Sequence, residues 1–386
     1  MANKIMFWYH HFGSLGHGVR VLSLAKAIKY RNPEFDVLVV QGGVLHKELK
    51  IPSGVRCINL SPLESNSGLF DGLKSPSKIS LEKVKVIRAH QLITIARIFK
   101  PDFLITEHFP LGRTQFKFEL IPLFKYLISN LPKTKIIASV RDFIDQEVDI
   151  AGLLGLLNYF SYVLVHSDPK FMKFDFEDLL GEKLIYTGYV ASRARAELID
   201  INHIRDQLKI TDKKLVVVSI GGGIIGFKIL VEVILAKRKL DNIGVKTKFL
   251  ISTGPSISDV DYAKLIILAG NDNDIILTKF NPNLVDYINA ADLNISMGGY
   301  NSLVNVMVTG TSTIIIPKGI DSEQKTRARK LQDKGLVQVL DLINLNSSIL
   351  FDAIVSGLNK EKKKNNLNIN GADFFAKFIE KVSGDN

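Results

Sequence analysis

The sequence predicts an α/β protein built as two Rossmann-like domains, and three observations carry that prediction. Its 386 residues suit two domains of ordinary size. Short apolar runs that end in glycine turns alternate with helix-spaced segments, which is the pattern of buried parallel strands joined by crossover helices. The pattern restarts at residue 214 after a charged helical stretch. The expected division is 1–200, 201–370 and a last helix over 371–386.

The run 4–9 (KIMFWY) reads as the first strand and closes in a glycine turn, Gly13-Ser-Leu-Gly16-His17-Gly18. Residues 19–30 then place Leu22, Leu24, Ala25, Ala27 and Ile28 on one helical stripe, and 36–41 (DVLVVQ) is a second strand ending at Gly42-Gly43. Further strands are expected at 102–106, 135–140, 162–166 and 183–187, with helical segments between most of them. The stretch 61–80 is rich in Ser, Gly and Pro; about 20 residues is long for a plain connection, so it reads as a binding loop, lid or disordered segment. After a charged helical stretch over 193–209, strands are expected at 214–220, 247–252, 274–278, 292–296, 312–317 and 336–339. Helices are expected at 225–237, 259–268, 283–290, 300–309 and 323–334, with one more to follow, then a polar linker over 359–370 and an amphipathic helix over 372–382. Ligands of such sheets bind at the carboxyl ends of the strands, so each glycine turn is expected to face the crevice between the domains.

Composition narrows the function. With 46% hydrophobic and 23% charged residues the chain is globular, and no run reaches the 18 apolar residues a membrane-spanning helix needs. The first nine residues lack the apolar core of a signal peptide, and the one cysteine, Cys57, excludes an intramolecular disulfide and a multi-thiolate metal site. A cytoplasmic protein is expected. The net charge of +11 is uneven: residues 1–100 hold 15 basic and 6 acidic side chains, the rest 35 and 33. A basic half suits a phosphorylated ligand or an anionic lipid surface, while no nucleic-acid-binding motif is present.

Strand–glycine–helix junctions expose backbone N–H groups and a positive helix end, which suits a phosphate. Gly221-Gly222-Gly223 forms one, and Gly298-Gly299, ahead of Tyr300, Asn301 and Ser302, forms another; simple packing of helix on sheet and ordinary capping are the alternative readings. His17 sits at the helix end of the first turn, where an imidazole near pKa 6.5 can serve as a base or merely pack and cap. His10, His11 and His17 have no familiar ligand spacing and no carboxylate nearby in sequence, so no metal site is expected. Glu107-His108 and Arg141-Asp142 fall just past strands, where they either face the crevice or form local ion pairs.

At this point a family resemblance enters. The paired domains with their glycine turns resemble GT-B glycosyltransferases, specifically MurG-like enzymes of glycosyltransferase family 28. The turn GSLGHGVRVLSLAKAI resembles that family's glycine loop, His and helix. TEHFPLGRTQFKFELIPLF (106–124), SVRD (139–142), VLVHSDPKF (163–171) and YTGYV (186–190) resemble a predicted-glycosyltransferase branch of it, and SIGGG (219–223) and SMGGYNS (296–302) its second-domain loops. The resemblance implies two domains facing each other across a cleft, with the C-terminal helix crossing back. It implies transfer of a sugar from a nucleoside diphosphate, UDP foremost, to a saccharide or lipid-linked acceptor.

By that pattern Gly221, Gly222 and Gly223 would face the diphosphate and Phe280 the base. Gly298, Gly299 and Asn301 would line the donor pocket, and Glu323 and Gln324 would reach the sugar hydroxyls. His17 would be the base on the acceptor hydroxyl, with Gly13, Gly16, Glu107, His108, Arg141 and Asp142 on the acceptor side. The chain departs from the family at one place: the helix after SMGG usually carries a ribose-binding Glu five residues before its closing Gly, and here that residue is Asn305. Asn can hydrogen-bond a hydroxyl but lacks the charge.

No DxD-like motif stands at a strand end, so inverting, metal-independent transfer with no cofactor beyond the nucleotide-sugar substrate is expected. A nucleotide-sugar hydrolase or epimerase, or a non-catalytic nucleotide-sugar-binding protein, is the alternative reading. The apolar stretch 153–160 (LLGLLNYF) is either a peripheral membrane contact or a core helix.

Overall fold

The computed structural model describes residues 3–12, 15–43, 47–65, 72–143, 149–319 and 322–384. The chain forms two compact units, 1–192 with 368–386, and 193–367.

The first unit runs β1 (Lys4–His10), α1 (Gly16–Arg31), β2 (Asp36–Gly42), β3 (Val55–Asn59), β4 (Glu64–Ser65), β5 (Leu73–Lys74), α2 (Leu81–Phe99), β6 (Phe103–Glu107), α3 (Lys117–Asn130), β7 (Lys135–Arg141), α4 (Ile150–Leu157), β8 (Tyr162–His166), α5 (Glu177–Leu180) and β9 (Leu184–Tyr186). The second runs α6 (Ile201–Gln207), β10 (Lys214–Ser219), α7 (Phe227–Asn242), β11 (Thr247–Ser252), α8 (Asp259–Ala269), β12 (Ile275–Thr278), α9 (Leu284–Ala290), β13 (Leu293–Ser296), α10 (Tyr300–Thr309), β14 (Thr313–Ile315), α11 (Glu323–Asp333), β15 (Gln338–Val339) and α12 (Ser347–Leu358). The last helix, α13 (Gly371–Ser383), belongs to the first unit.

Both units are Rossmann-like. The first holds a seven-stranded parallel sheet in the order β3-β2-β1-β6-β7-β8-β9, the second a six-stranded parallel sheet in the order β12-β11-β10-β13-β14-β15. Strand order reverses between β1 and β6 in one and between β10 and β13 in the other. In open α/β sheets such a switch point leaves a crevice at the carboxyl ends of the strands.

Apolar strands such as β1 bury both faces. Met6 and Trp8 pack with α2 and α3, while Ile5, Phe7 and Tyr9 pack with α1 and α13. The first unit therefore needs α13. Phe375 is fully buried against Phe7, with ring centroids 6.2 Å apart, and Arg31 pairs with Asp373 and Glu380. The second unit begins at Arg193, and Arg193 and Arg195 both bond within it. Arg193 pairs with Asp286, and Arg195 caps the carbonyls of Met307 and Val308 at the end of α10.

Several elements differ from expectation at their starts: the helical stretch expected over 193–209 is α-helix only from Ile201, and the strand expected from 336 begins at Gln338. Helix α1 begins at Gly16, which puts His17 inside its first turn, and α7 begins at Phe227, because Gly226 at φ +126° cannot continue a helix from Ile225. Within 153–160, Leu153, Leu156, Leu157 and Phe160 are core residues. Leu154 and Ile150 on the same helix are exposed, and no helix among the described residues is long and apolar enough to cross a membrane.

Phe375→Ala should cost the first unit about 3–5 kcal/mol in a denaturant titration, as for other buried aromatics. A loss under 1 kcal/mol would mean that α13 is not part of its core.

Candidate active site

Glu107 ends β6, and the parallel register sets Ser139 of β7 beside it and His166 of β8 beside Arg141. Residues two apart on a strand share a face, so Glu107, Ser139, Arg141 and His166 all lie on the α1 side of the sheet. Helix α1, entering from β1 across the switch point, lays His17 and Arg20 over them, one turn apart on one helical face.

The resulting cluster is almost dry: Glu107 is 1% exposed, Arg20 2% and His17 6%. Oε1 of Glu107 takes hydrogen bonds from the Arg20 guanidinium and from His17 Nδ1 at 3.0 Å. Its other oxygen accepts from Ser139 Oγ at 3.0 Å. Burial acts to raise the Glu107 pKa, but the charge and hydrogen bond of Arg20 outweigh it and hold the group below the ordinary carboxylate value. Glu107 is therefore an anion that only accepts hydrogen bonds; although the Arg20 guanidinium also lies 3.3 Å from His17 Nδ1, the closer carboxylate places the proton on Nδ1 and the lone pair on Nε2.

Burial, then Arg113, Arg20 and Arg141, push the His17 pKa well below 6.5, and the ring is neutral at pH 7. His108 lies 5.6 Å from His17, ring to ring, and its Nε2 is 3.3 Å from the Arg141 guanidinium. Burial, then Arg141 and His17, push its pKa well below 6.5 too. Asp142 is buried and accepts from the Tyr189 hydroxyl at 3.1 Å. Gly16 is the first residue of α1, and Gly13 lies outside the described residues. Among the described residues no group of three His, Cys, Asp or Glu is arranged to hold a metal ion.

In the second unit the glycines fall into two kinds. Gly223, at φ +95°, presses on the neighbouring loop: a Cβ there would meet the Thr253 carbonyl at 2.7 Å, and Gly222 O accepts from Ser256 N at 2.8 Å. Gly298 is equally confined, since a Cβ would lie 2.9 Å from the Gln324 carbonyl. By contrast Gly221 (φ +72°) faces open space, and a Cβ at Gly299, the N-cap of α10, would meet only Ser302 Oγ at 4.0 Å. Both open positions stand at the second switch point, after β10 and β13. A buried row of hydroxyls borders them. Ser219, Ser252, Thr278 and Ser296 end four strands in register, and the hydroxyls of Ser252, Thr278 and Ser296 have no hydrogen-bond partner among the described residues.

The remaining donor-side expectations land around this point with varied commitments. Asn301 is in the first turn of α10 and Asn305 in its middle, both half-buried, and Phe280 is half-buried just beyond β12. The Glu323 carboxylate pairs with Arg327 at 2.9 Å, while Gln324 Oε1 accepts from Lys318 N at 3.1 Å. Sequence reading missed Arg20, Ser139, His166 and the hydroxyl row. Arg20 was discoverable from its three-residue spacing after His17; the others needed strand register.

Residues 217–382 match the glycosyltransferase family 28 C-terminal domain. The chain thus carries a domain of that family on a GT-B fold, MurG-like in architecture. It is 22% identical over 360 residues to an uncharacterized glycosyltransferase of Methanosarcina mazei, spanning 87% of this chain and 85% of that one. Acinetobacter baumannii MurG superimposes with a TM-score of 0.59 at 15% identity, covering 98% of this chain and 99% of MurG. The S. aureus MnaA–UDP co-structure gives a TM-score of 0.63 at 12% identity, covering 98% of the transferase and 95% of MnaA. At these identities the structural likeness is one of fold.

Two outcomes follow for the transferase. His10, His17, His108 and His166 are all lowered in the fold but take up protons near pH 6.5 once unfolded, so the unfolded chain binds more protons below that pH. Stability should fall as pH drops from 7 to 5, by up to about 1.4 kcal/mol per pH unit for each histidine; denaturant titrations that give a flat profile would contradict the burial. Gly223→Ala should cost more than about 1 kcal/mol, because both φ and space forbid a Cβ, whereas Gly299→Ala should leave the melting temperature nearly unchanged.

Proposed function

We propose that the chain transfers a sugar from a nucleoside diphosphate, UDP foremost, to a hydroxyl of a saccharide or lipid-linked acceptor, with inversion and with His17 as the base. One observation carries this reading: a neutral, buried imidazole stands at a sheet switch point with Nδ1–H held by an anionic Glu107 and Nε2 left basic.

In the proposed step Nε2 takes the proton of the acceptor hydroxyl. The acceptor oxygen bonds to the anomeric carbon from the face opposite the leaving group, and the bond from that carbon to the β-phosphate oxygen breaks, its electron pair leaving with the diphosphate. Glu107 stabilises the imidazolium that forms. The departing diphosphate gains charge that backbone N–H groups at Gly221 and at the N-terminus of α10 are suited to neutralise. Open space at Gly221 and Gly299 supports that role better than the confined Gly223 and Gly298 do. Asn305 in place of the family's Glu leaves recognition of the ribose to neutral hydrogen bonds.

His17→Ala should lower turnover about 10²–10⁴-fold while UDP still raises the melting temperature. At a hundredfold excess over Kd that stabilisation is about 2.7 kcal/mol. Full turnover in the variant would remove His17 as the base, and the absence of stabilisation by UDP in the parent protein would remove the uridine assignment.

A further inference from the structure

The hydrogen bonds of Glu107 do not stop at His17. Ser139 Oγ lies 3.0 Å from Glu107 Oε2, His166 Nε2 lies 2.8 Å from that hydroxyl, and Thr187 Oγ1 lies 2.8 Å from His166 Nδ1. The four residues come from β6, β7, β8 and the turn after β9, one from each successive strand, and none is more than 1% exposed.

The direction of every bond in this chain follows from the carboxylate. An ionised Glu107 has no proton to give, so the single hydrogen of Ser139 points at Oε2. Ser139 Oγ must then accept, which places the proton of the neutral His166 ring on Nε2. Nδ1 is left bare and takes the hydrogen of Thr187. Burial, together with Arg20, pushes the His166 pKa down to about 3, so the ring does not escape this ordering by becoming doubly protonated. Around it stand Ser139, Thr187, Glu107 and Arg20, with the Phe375 ring of α13 at 6.2 Å.

We propose that Ser139, His166 and Thr187 are positioning residues that act through Glu107: they anchor Oε2 so that Oε1 stays on His17 Nδ1 and keeps the basic lone pair on Nε2. Without that anchor the carboxylate is held from the Arg20 side alone and is free to turn about its terminal torsion, which loosens the base. The inference rests on the base role proposed for His17. A merely space-filling polar cluster would satisfy each buried group locally, and the proton on His166 would then ignore what stands at position 107.

Imidazole nitrogen NMR on the full, ¹⁵N-labelled chain reads that coupling without any substrate. In the parent protein His166 should carry its proton on Nε2. In Glu107→Gln the amide oxygen stays with Arg20 and His17, which both donate, so the amide NH₂ faces Ser139. The Ser139 hydrogen then turns to His166 Nε2, and the His166 proton should move to Nδ1, with the Thr187 hydroxyl turning to Gly188 O, 2.8 Å away. Ser139→Ala, which removes the acceptor for Nε2–H, should move the His166 proton the same way and keeps the test open if the Gln variant does not fold. A parent His166 protonated on Nδ1, or a His166 proton that stays on Nε2 in a folded variant of either kind, overturns the proposal. Failure of the base role shows elsewhere, as full turnover in His17→Ala with the His166 coupling intact.

Discussion

A carboxylate at 1% exposure costs several kcal/mol unless a charge meets it in place, and in the first unit Arg20 meets Glu107. Each later feature of the site follows from that ion pair. Because Arg20 keeps Glu107 ionised, Glu107 can only accept hydrogen bonds. That fixes the proton of His17 on Nδ1 and leaves the lone pair on Nε2. Because the ring is buried among Arg20, Arg113 and Arg141, it stays neutral where an exposed histidine would be partly charged. Arg20 thus sets the charge of Glu107, and Glu107 sets the tautomer of His17. Both depend on α1 starting at Gly16, which brings His17 and Arg20 over the carboxyl end of β6.

The second unit reaches a complementary result with backbone rather than side chains. Gly223 and Gly298 bring neighbouring segments into van der Waals contact and so shape the loops, while a side chain at Gly221 or Gly299 would meet little or nothing. One kind closes the turn against its neighbours and the other does not. This separates two roles that a run of three glycines compresses into one motif. The N-terminus of α10 adds a positive helix end at the same switch point.

Much of the fold was legible because both sheets are parallel and buried: runs such as LVVVS and KIMFWY carry the strand signal in composition alone. Edge strand β3 was not legible, since its outer residues are exposed and its pattern is irregular, and the short pair β4–β5 hides within a Ser- and Gly-rich stretch. At the start of the second unit Arg193 and Arg195 find partners more than 80 residues away, which no local pattern encodes. Within the site, His17, Glu107, His108, Arg141 and Asp142 were marked by their place after strands. Their pairing was not, because His17 and Glu107 are 90 residues apart and meet only through the order of β1 and β6. Glu323, expected to reach the sugar hydroxyls, pairs with Arg327 one turn along its own helix.

The proposed chemistry stands on a neutral His17 whose lone pair is on Nε2. The most direct measurement is the pH titration of its two ring nitrogens by ¹⁵N NMR, assigned by the loss of the signals in a His17 variant. The structure predicts a protonated Nδ1 and a bare Nε2 at pH 7, with no transition on lowering the pH through 6.5. A ring that protonates near 6.5, or that carries its hydrogen on Nε2, would contradict the arrangement from which the proposed chemistry is built.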